Sequence, residues 1–145
     1  MRWGNISNQT APIVAVNVDN ILFAPKEDSF INQIKKFLHF DTEHFKYFNR
    51  NINQENVYLL NNIWSKNDIS LYLITFTDYH DEIAEILNLE DVFYTRLQKA
   101  PGIDWLRRKC MYGYSFYFDS DGDTLSLLSV DNAKNISEAH KFLKV

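Results

Sequence analysis

Short apolar runs alternate along the chain with longer stretches in which apolar residues recur every three or four positions. A short apolar run bounded by polar turns is typical of a buried strand, and the longer spacing is typical of one face of a helix. The pattern predicts five strands, which are Ile13–Val18, Ser70–Thr75, Asp91–Thr95, Tyr114–Phe118 and Leu125–Val130.

Predicted helices lie between these strands. One follows the N-cap candidate Ser29, with Phe30, Ile34, Phe37 and Leu38 on one face, and leads into the polar and aromatic segment Asp41–Asn53. The others are Asn56–Lys66, a helix with Ile83, Ile86 and Leu87 inward, Ile103–Lys109 and Asn135–Leu143. This alternation predicts an α/β fold with three layers, in which helices cover both faces of a mostly parallel sheet of about five strands.

Polar side chains follow the predicted strands at the points where the strands end. In parallel sheets these ends meet at one edge, where ligands usually bind. Carboxylate oxygens suit Mg²⁺, whereas a hydroxyl and an ammonium suit phosphoryl oxygens. The residues at this edge are Asn17 and Asp19 after the first strand, Thr75 and Thr77 after the second, Lys99 before the small helix, and Asp119, Asp121 and Asp123 after the fourth.

The order of these residues resembles that of the haloacid dehalogenase (HAD) superfamily, most of whose members are Mg²⁺-dependent phosphatases and phosphotransferases. The family's four motifs are an apolar strand before Asp-x-Asp, a strand ending in Thr or Ser, a Lys before a helix, and an apolar strand before two acids. Here "IVAVNVDN", "SLYLIT", Lys99 and "FYFDSDGD" stand in that order, and the resemblance extends from Ile13 to Leu143.

The resemblance implies a role for each matching residue. Asn17 stands at the position of the nucleophile, and Asp19 stands at that of the general acid/base. Thr75 matches the hydroxyl that binds phosphate, and Lys99 matches the amine that stabilises its charge. The Mg²⁺ ligands implied in the same way are the backbone carbonyl of Asp19 and the carboxylates of Asp119 and Asp123.

The first motif departs from the family pattern. A carboxamide oxygen lacks the full negative charge with which an aspartate attacks phosphorus, and removal of a nucleophile costs orders of magnitude in turnover. Asn20 and Ile21 also replace the Gly-Thr or Gly-Val that usually follows. Three interpretations of Asn17 stay open: a natural pseudoenzyme, an active phosphatase that uses another acid or register, and an engineered Asp→Asn substitution.

We therefore expect a HAD-like domain with an impaired phosphatase site that acts by binding a phosphorylated ligand or a protein partner. An active Mg²⁺-dependent phosphatase is the alternative. A response-regulator-like receiver domain fits less well, because it requires two acids after the first strand and an acceptor Asp where Thr75 stands.

The length of 145 residues predicts one domain over 1–145, with a minimal helical and aromatic insertion at about 24–55. So short an insertion resembles those of compact, nearly capless members of the magnesium-dependent phosphatase type. The aromatic residues of segment 37–48 could not all be buried in it, so we expect a surface for a partner or for oligomerisation there.

Composition bears on the expected ligand, on the cellular location and on the source of the protein. A net charge of −4 gives no support for nucleic-acid binding. The single cysteine, Cys110, fits a reducing compartment, and the absence of a signal peptide or membrane-length apolar run predicts a cytoplasmic location without membrane attachment. Abundant Asn, Ile, Lys, Phe and Tyr indicate an AT-rich genome, such as that of a low-GC bacterium or its phage.

Overall fold

The computed structural model describes residues 11–25, 50–89 and 96–145, which form seven strands and six helical segments. The strands are β1 (Ile13–Asn17), β2 (Phe23–Pro25), β3 (Arg50–Ile52), β4 (Ser70–Thr75), β5 (Arg96–Lys99), β6 (Phe116–Asp119) and β7 (Ala133–Asn135). The helices are α1 (Val18–Ile21), α2 (Gln54–Lys66), α3 (His80–Leu89), α4 (Ile103–Tyr112) and α5 (Gly122–Leu128), followed by a 3₁₀ helix (Ile136–Lys141).

Five strands form one parallel sheet in the order β5-β4-β1-β6-β7. Strand β1 is central, with Ala15 in register with Tyr72 of β4 on one side and Tyr117 of β6 on the other. Strands β2 and β3 form a separate antiparallel pair, and Asn53 N–H donates to the Leu22 carbonyl beside it at 2.8 Å. This pair brackets residues 26–49, which lie outside the described ranges.

Alternate side chains of the parallel strands enter two separate cores, because successive residues of a strand point to opposite faces of the sheet. Val14, Val16, Leu71, Leu73 and Phe118 pack on one face with α2, α3 and the 3₁₀ helix. Ala15, Ile74 and Tyr117 pack on the other face with α4 and α5. The expected α/β class, with helices on both faces of a parallel sheet of five strands, is confirmed.

The prediction of a strand over Leu125–Val130 is wrong, because this segment lies mostly in helix α5. Asp121 caps the helix: its carboxylate accepts hydrogen bonds from Asp123 N–H (3.2 Å) and the Thr124 hydroxyl (2.7 Å). Leu125 and Leu128, three positions apart, contact the core, whereas Leu127 is 60% exposed. The apolar positions therefore follow helical spacing instead of strand alternation.

The last strand of the sheet is the short β7, which was not predicted; only its last residue, Asn135, fell within the predicted helix Asn135–Leu143. Its residues are only half-buried and pair with β6 alone, so they carry little apolar signal. The helix predicted over Asn135–Leu143 is present as the shorter 3₁₀ helix. Four predicted features lie outside or largely outside the described residues. They are the helix after Ser29, the segment Asp41–Asn53, the aromatic region 37–48 and the strand Asp91–Thr95.

The other predicted elements differ from the observed ones only at their ends. The predicted strand Ser70–Thr75 matches β4, and the predicted strand Tyr114–Phe118 overlaps β6. Within the described part of the chain, no helix combines the length and the apolar character needed to cross a membrane.

Candidate functional site

Asn17 ends the central strand and begins the helical turn that follows it. Its side chain is fully buried, and its Oδ1 accepts a hydrogen bond from Asn20 N–H at 2.9 Å. An oxygen in this position caps the first turn of a helix, which explains why the strand stops here. The amide Nδ2 of Asn17 is also buried, and it has no hydrogen-bond partner within the described ranges.

Asp19 lies in α1, and its carboxylate contacts the end of the neighbouring strand β4. One oxygen accepts a hydrogen bond from the Thr75 hydroxyl at 2.8 Å, and the other accepts from Phe76 N–H at 3.0 Å. Asp19 and Thr75 are 2% and 0% exposed, so these bonds lie away from solvent. The structure therefore brings together the two residues matched to the acid/base and the phosphate-binding hydroxyl.

The Thr75 hydroxyl is engaged on both sides in this arrangement. It donates to Asp19, and the Thr77 N–H group donates to it at 3.2 Å. The two threonine hydroxyls are 3.1 Å apart. A phosphoryl oxygen that binds Thr75 must therefore displace Asp19 as the acceptor of its proton.

Lys99 is the last residue of β5 and lies in register with Thr75. Its ammonium forms an ion pair with the carboxylate of Asp78. The hydrogen bond from Lys99, together with its positive charge, lowers the pKa of Asp78 below the usual 3.8. The sheet thus places Lys99 beside Thr75, while the charge of Lys99 is directed to an exposed aspartate.

Asp119 ends β6 and is fully buried on the other side of β1. Its Oδ1 accepts hydrogen bonds from Asn20 Nδ2 (3.0 Å), Ser120 N–H (2.7 Å) and Asp121 N–H (3.0 Å). Its Oδ2 accepts a hydrogen bond from the Tyr117 hydroxyl at 2.6 Å. Three donors therefore share Oδ1, which saturates that oxygen, whereas Oδ2 accepts one hydrogen bond and keeps one lone pair.

Tyr117 separates Asp119 from the core beneath it. Burial raises the pKa of its hydroxyl well above the usual 10, and the negative charge of Asp119 raises this pKa further. The nearby side-chain amide of Asn17 acts in the opposite direction and lowers this pKa. Tyr117 therefore stays protonated and serves as a permanent donor to Asp119.

Asp123, which the resemblance assigns to the metal, lies in the exposed first turn of α5. Within the described ranges, no group of three or more His, Cys, Asp or Glu side chains is arranged to hold a metal ion. The neighbouring Asp121 uses both carboxylate oxygens to cap α5. The acids after β6 thus act in three different ways, as a buried acceptor, a helix cap and a surface charge.

The donor set fits Mg²⁺ poorly. This ion requires several oxygen ligands in octahedral geometry and prefers carboxylates. Asn17 offers a neutral amide whose oxygen already accepts a backbone hydrogen bond, and Oδ1 of the buried Asp119 is saturated by three protein donors.

Two residues at this edge have roles that the sequence analysis did not assign. Asn20 was identified only as a departure from the family pattern. Its amide donates a hydrogen bond to Asp119, which lies 99 positions away in the sequence. Tyr117 lies two residues before Asp119, on the same face of β6. This two-residue spacing was the available sequence signal, because residues i and i+2 of a strand share a face.

The fold and its polar edge define a parallel α/β protein of the three-layer, Rossmann-like class. Comparisons with protein-family models, with curated proteins and with solved structures found no match.

Proposed function

We propose that this chain is a HAD-like domain whose phosphatase site is impaired and which acts by binding instead of turnover. The observation that carries the proposal is the state of Asn17. It occupies the end of the central strand, and its only side-chain oxygen accepts the hydrogen bond that caps α1. A neutral carboxamide held in this way is a poor nucleophile toward phosphorus.

The charges at the edge bear on what the domain binds. Asp19 and Asp119 are buried carboxylates on either side of Asn17, and Lys99, which lies beside Thr75 in the sheet, is paired with Asp78. A phosphoryl group that approached without a cation would face repulsion from both carboxylates. Of the two kinds of ligand expected, a protein partner is therefore favoured over a bare phosphorylated compound.

The alternative is an active Mg²⁺-dependent phosphatase in which Asp19 acts as acid/base. Two contacts favour it: the Asp19–Thr75 hydrogen bond and the register that puts Lys99 beside Thr75. This function would require a nucleophile other than Asn17. It would also require Mg²⁺ either to reach the buried Oδ2 of Asp119 or to displace a donor from Oδ1.

Hydrolysis of p-nitrophenyl phosphate with Mg²⁺ tests the proposal in three proteins: the wild type, Asn17→Asp and Asn53→Asp. Asn53 is the matched control, because it also caps a helix by accepting the backbone N–H of the residue three positions later. Aspartate is as good a cap as asparagine, so both variants are expected to fold. We expect no turnover by the wild type or by the control.

The outcomes separate the interpretations. Turnover by the wild type would overturn the proposal. Turnover by Asn17→Asp alone would show that the asparagine silences an otherwise intact site, whereas inactivity of all three would agree with a site used only for binding. Calorimetric titration with inorganic phosphate should give no heat, and a measurable heat would favour the phosphorylated ligand over the protein partner.

The aromatic region 37–48 is the proposed partner surface. Sedimentation velocity of the wild type and of a Phe45→Ala, Tyr47→Ala, Phe48→Ala variant tests whether this region supports oligomerisation. If self-association is present and the triple variant retains it, the region is not the contact.

A further inference from the structure

We propose that the carboxamide of Asn20 takes the place of a cation at Asp119, so that this edge of the sheet is held together without a divalent metal ion. The inference deepens the proposed function, since the expectation of Mg²⁺ rests on the likeness to the HAD superfamily. It concerns the metal requirement of the edge, whereas the proposed function concerns turnover.

Asn20 joins the turn after β1 to the loop after β6 through two hydrogen bonds. Its Nδ2 donates to Asp119 Oδ1 at 3.0 Å, and its backbone carbonyl accepts from the Ser120 hydroxyl at 3.1 Å. In a metal site, a cation shared between the ends of two neighbouring strands would provide such a connection. Here one side chain and one carbonyl provide it.

The remaining donors complete the replacement. With the amide of Asn20 in place, Asp119 accepts one hydrogen bond from Tyr117 and two from the backbone of Ser120 and Asp121. Buried carboxylates require such compensation, because an unpaired charge in the interior is costly. Four donors already supply it, and a cation at Oδ1 would have to displace at least one of the three that bind there.

The neutral side chain of Asn17 also reduces the need for a cation at this edge of the sheet. The register of β1 and β6 pairs Val16 with Phe118, so Asn17 and Asp119 are the next residues along the two strands. An aspartate at position 17 would put two carboxylates side by side and create a demand for a cation. The amide removes that demand, so the two asparagines of one helical turn together make the metal unnecessary.

The test is the response of thermal unfolding and of calorimetric titration to MgCl₂, with NaCl of equal ionic strength as the reference. The proteins are the wild type, Asn20→Ala and Asn56→Ala. Asn56 is the matched control, because its Nδ2 donates to the neutral carbonyl of Ile21 at 2.8 Å instead of to a carboxylate. We expect MgCl₂ at about 10 mM to leave the melting temperatures of the wild type and Asn56→Ala unchanged.

Asn20→Ala should behave differently. Without Mg²⁺ we expect its melting temperature to fall by about 5 °C, because a hydrogen bond to a charged group is lost. Addition of Mg²⁺ should recover part of this loss, since the ion can occupy the space beside Asp119. If Asn20→Ala folds and its melting temperature does not change with Mg²⁺, the proposal is overturned.

If Asn20→Ala does not fold, calorimetric titration of the wild type with Mg²⁺ tests the proposal. Absence of a Mg²⁺ binding heat supports the proposal, and binding with a dissociation constant below about 1 mM that Asp119→Asn abolishes overturns it. The two proposals fail separately. Turnover that EDTA does not inhibit contradicts only the proposed function, and Mg²⁺ binding without turnover contradicts only the present inference.

Discussion

The carboxylate of Asp19 accepts a hydrogen bond from the hydroxyl of Thr75 at 2.8 Å, across 56 positions of sequence. Both side chains are buried, and the bond ties the helical turn after β1 to the end of β4. The amide of Asn20 makes the corresponding connection to β6 on the other side. The helical turn α1 therefore connects the carboxyl ends of the three central strands, β4, β1 and β6.

Thr75→Val should destabilise the protein, because it keeps the shape of the side chain but leaves the buried Asp19 carboxylate without one donor. We expect the free energy of unfolding to fall by about 1–3 kcal/mol. Urea unfolding followed by circular dichroism measures it. Thr75→Ser keeps the hydroxyl and should lose less, so equal losses for the two variants would contradict the importance of the hydrogen bond.

Asp121→Ala and Asp123→Ala should have unequal effects on stability. Asp121 caps α5 with both carboxylate oxygens, and loss of a helix cap costs about 1 kcal/mol. Asp123 is exposed, and its replacement should change the free energy of unfolding by no more than about 0.5 kcal/mol. A larger loss for Asp123→Ala that appears only with Mg²⁺ would instead indicate a metal ligand.

Alkaline pH should destabilise the protein through groups that are buried in their neutral forms. Burial raises the pKa of the Cys110 thiol from 9.0 to about 12, and it also raises the pKa values of Tyr114 and Tyr117 above 10.0. The unfolded chain releases these protons first. The stabilisation is therefore complete below pH 9 and is lost as the pH rises through the folded-state values, by up to about 1.4 kcal/mol per pH unit for each group.

Urea unfolding at intervals from pH 8 to pH 12 measures this loss. Cys110→Ala should flatten the decline just above the unfolded-state pKa of the thiol, and Tyr117→Phe should flatten it only at higher pH. The slope is the readout, because both variants also change the absolute stability by altering the core. A wild-type stability that stays constant over this range would contradict the burial of these groups.

Lys99→Met should raise the pKa of Asp78 toward its usual 3.8, because the hydrogen bond and charge of this lysine are the largest causes of the lowering, with a smaller one from His80. The carboxyl carbon signal of Asp78, followed by NMR titration, reports the change. Lys99→Arg keeps a charged donor and should leave the pKa low. An unchanged pKa in Lys99→Met would mean that the two side chains do not pair in solution.

Local patterns predicted the strands and helices that bury apolar residues. Strand β4 and helix α2 were predicted closely, because an uninterrupted apolar run and a stripe at helical spacing are signals contained in single segments. The segment "LSLLSV" was misassigned because its alternating Leu and Ser outweighed the cap at Asp121. Strand β7 was missed because its pairing with β6, and not its composition, defines it.

The candidate site was predictable as a set of positions but not as a set of contacts. Parallel strands bring their carboxyl ends together, so Asn17, Thr75 and Asp119 were expected at one edge. The sequence could not show that Asn20 satisfies Asp119, because that bond joins residues 99 positions apart and depends on the helical turn after β1. Nor could it show that Lys99 pairs with Asp78.

The position of β1 also governs the order in which the chain assembles. This strand is the first of the sheet along the chain and its central one, and its two neighbours begin only at Ser70 and Phe116. During synthesis on the ribosome, the apolar segment from Ile13 to Val16 therefore remains with both edges unpaired until its neighbouring strands have emerged. Closing such long loops is slow, and exposed strand edges invite aggregation. This segment therefore stays exposed to aggregation until β4 and then β6 have emerged.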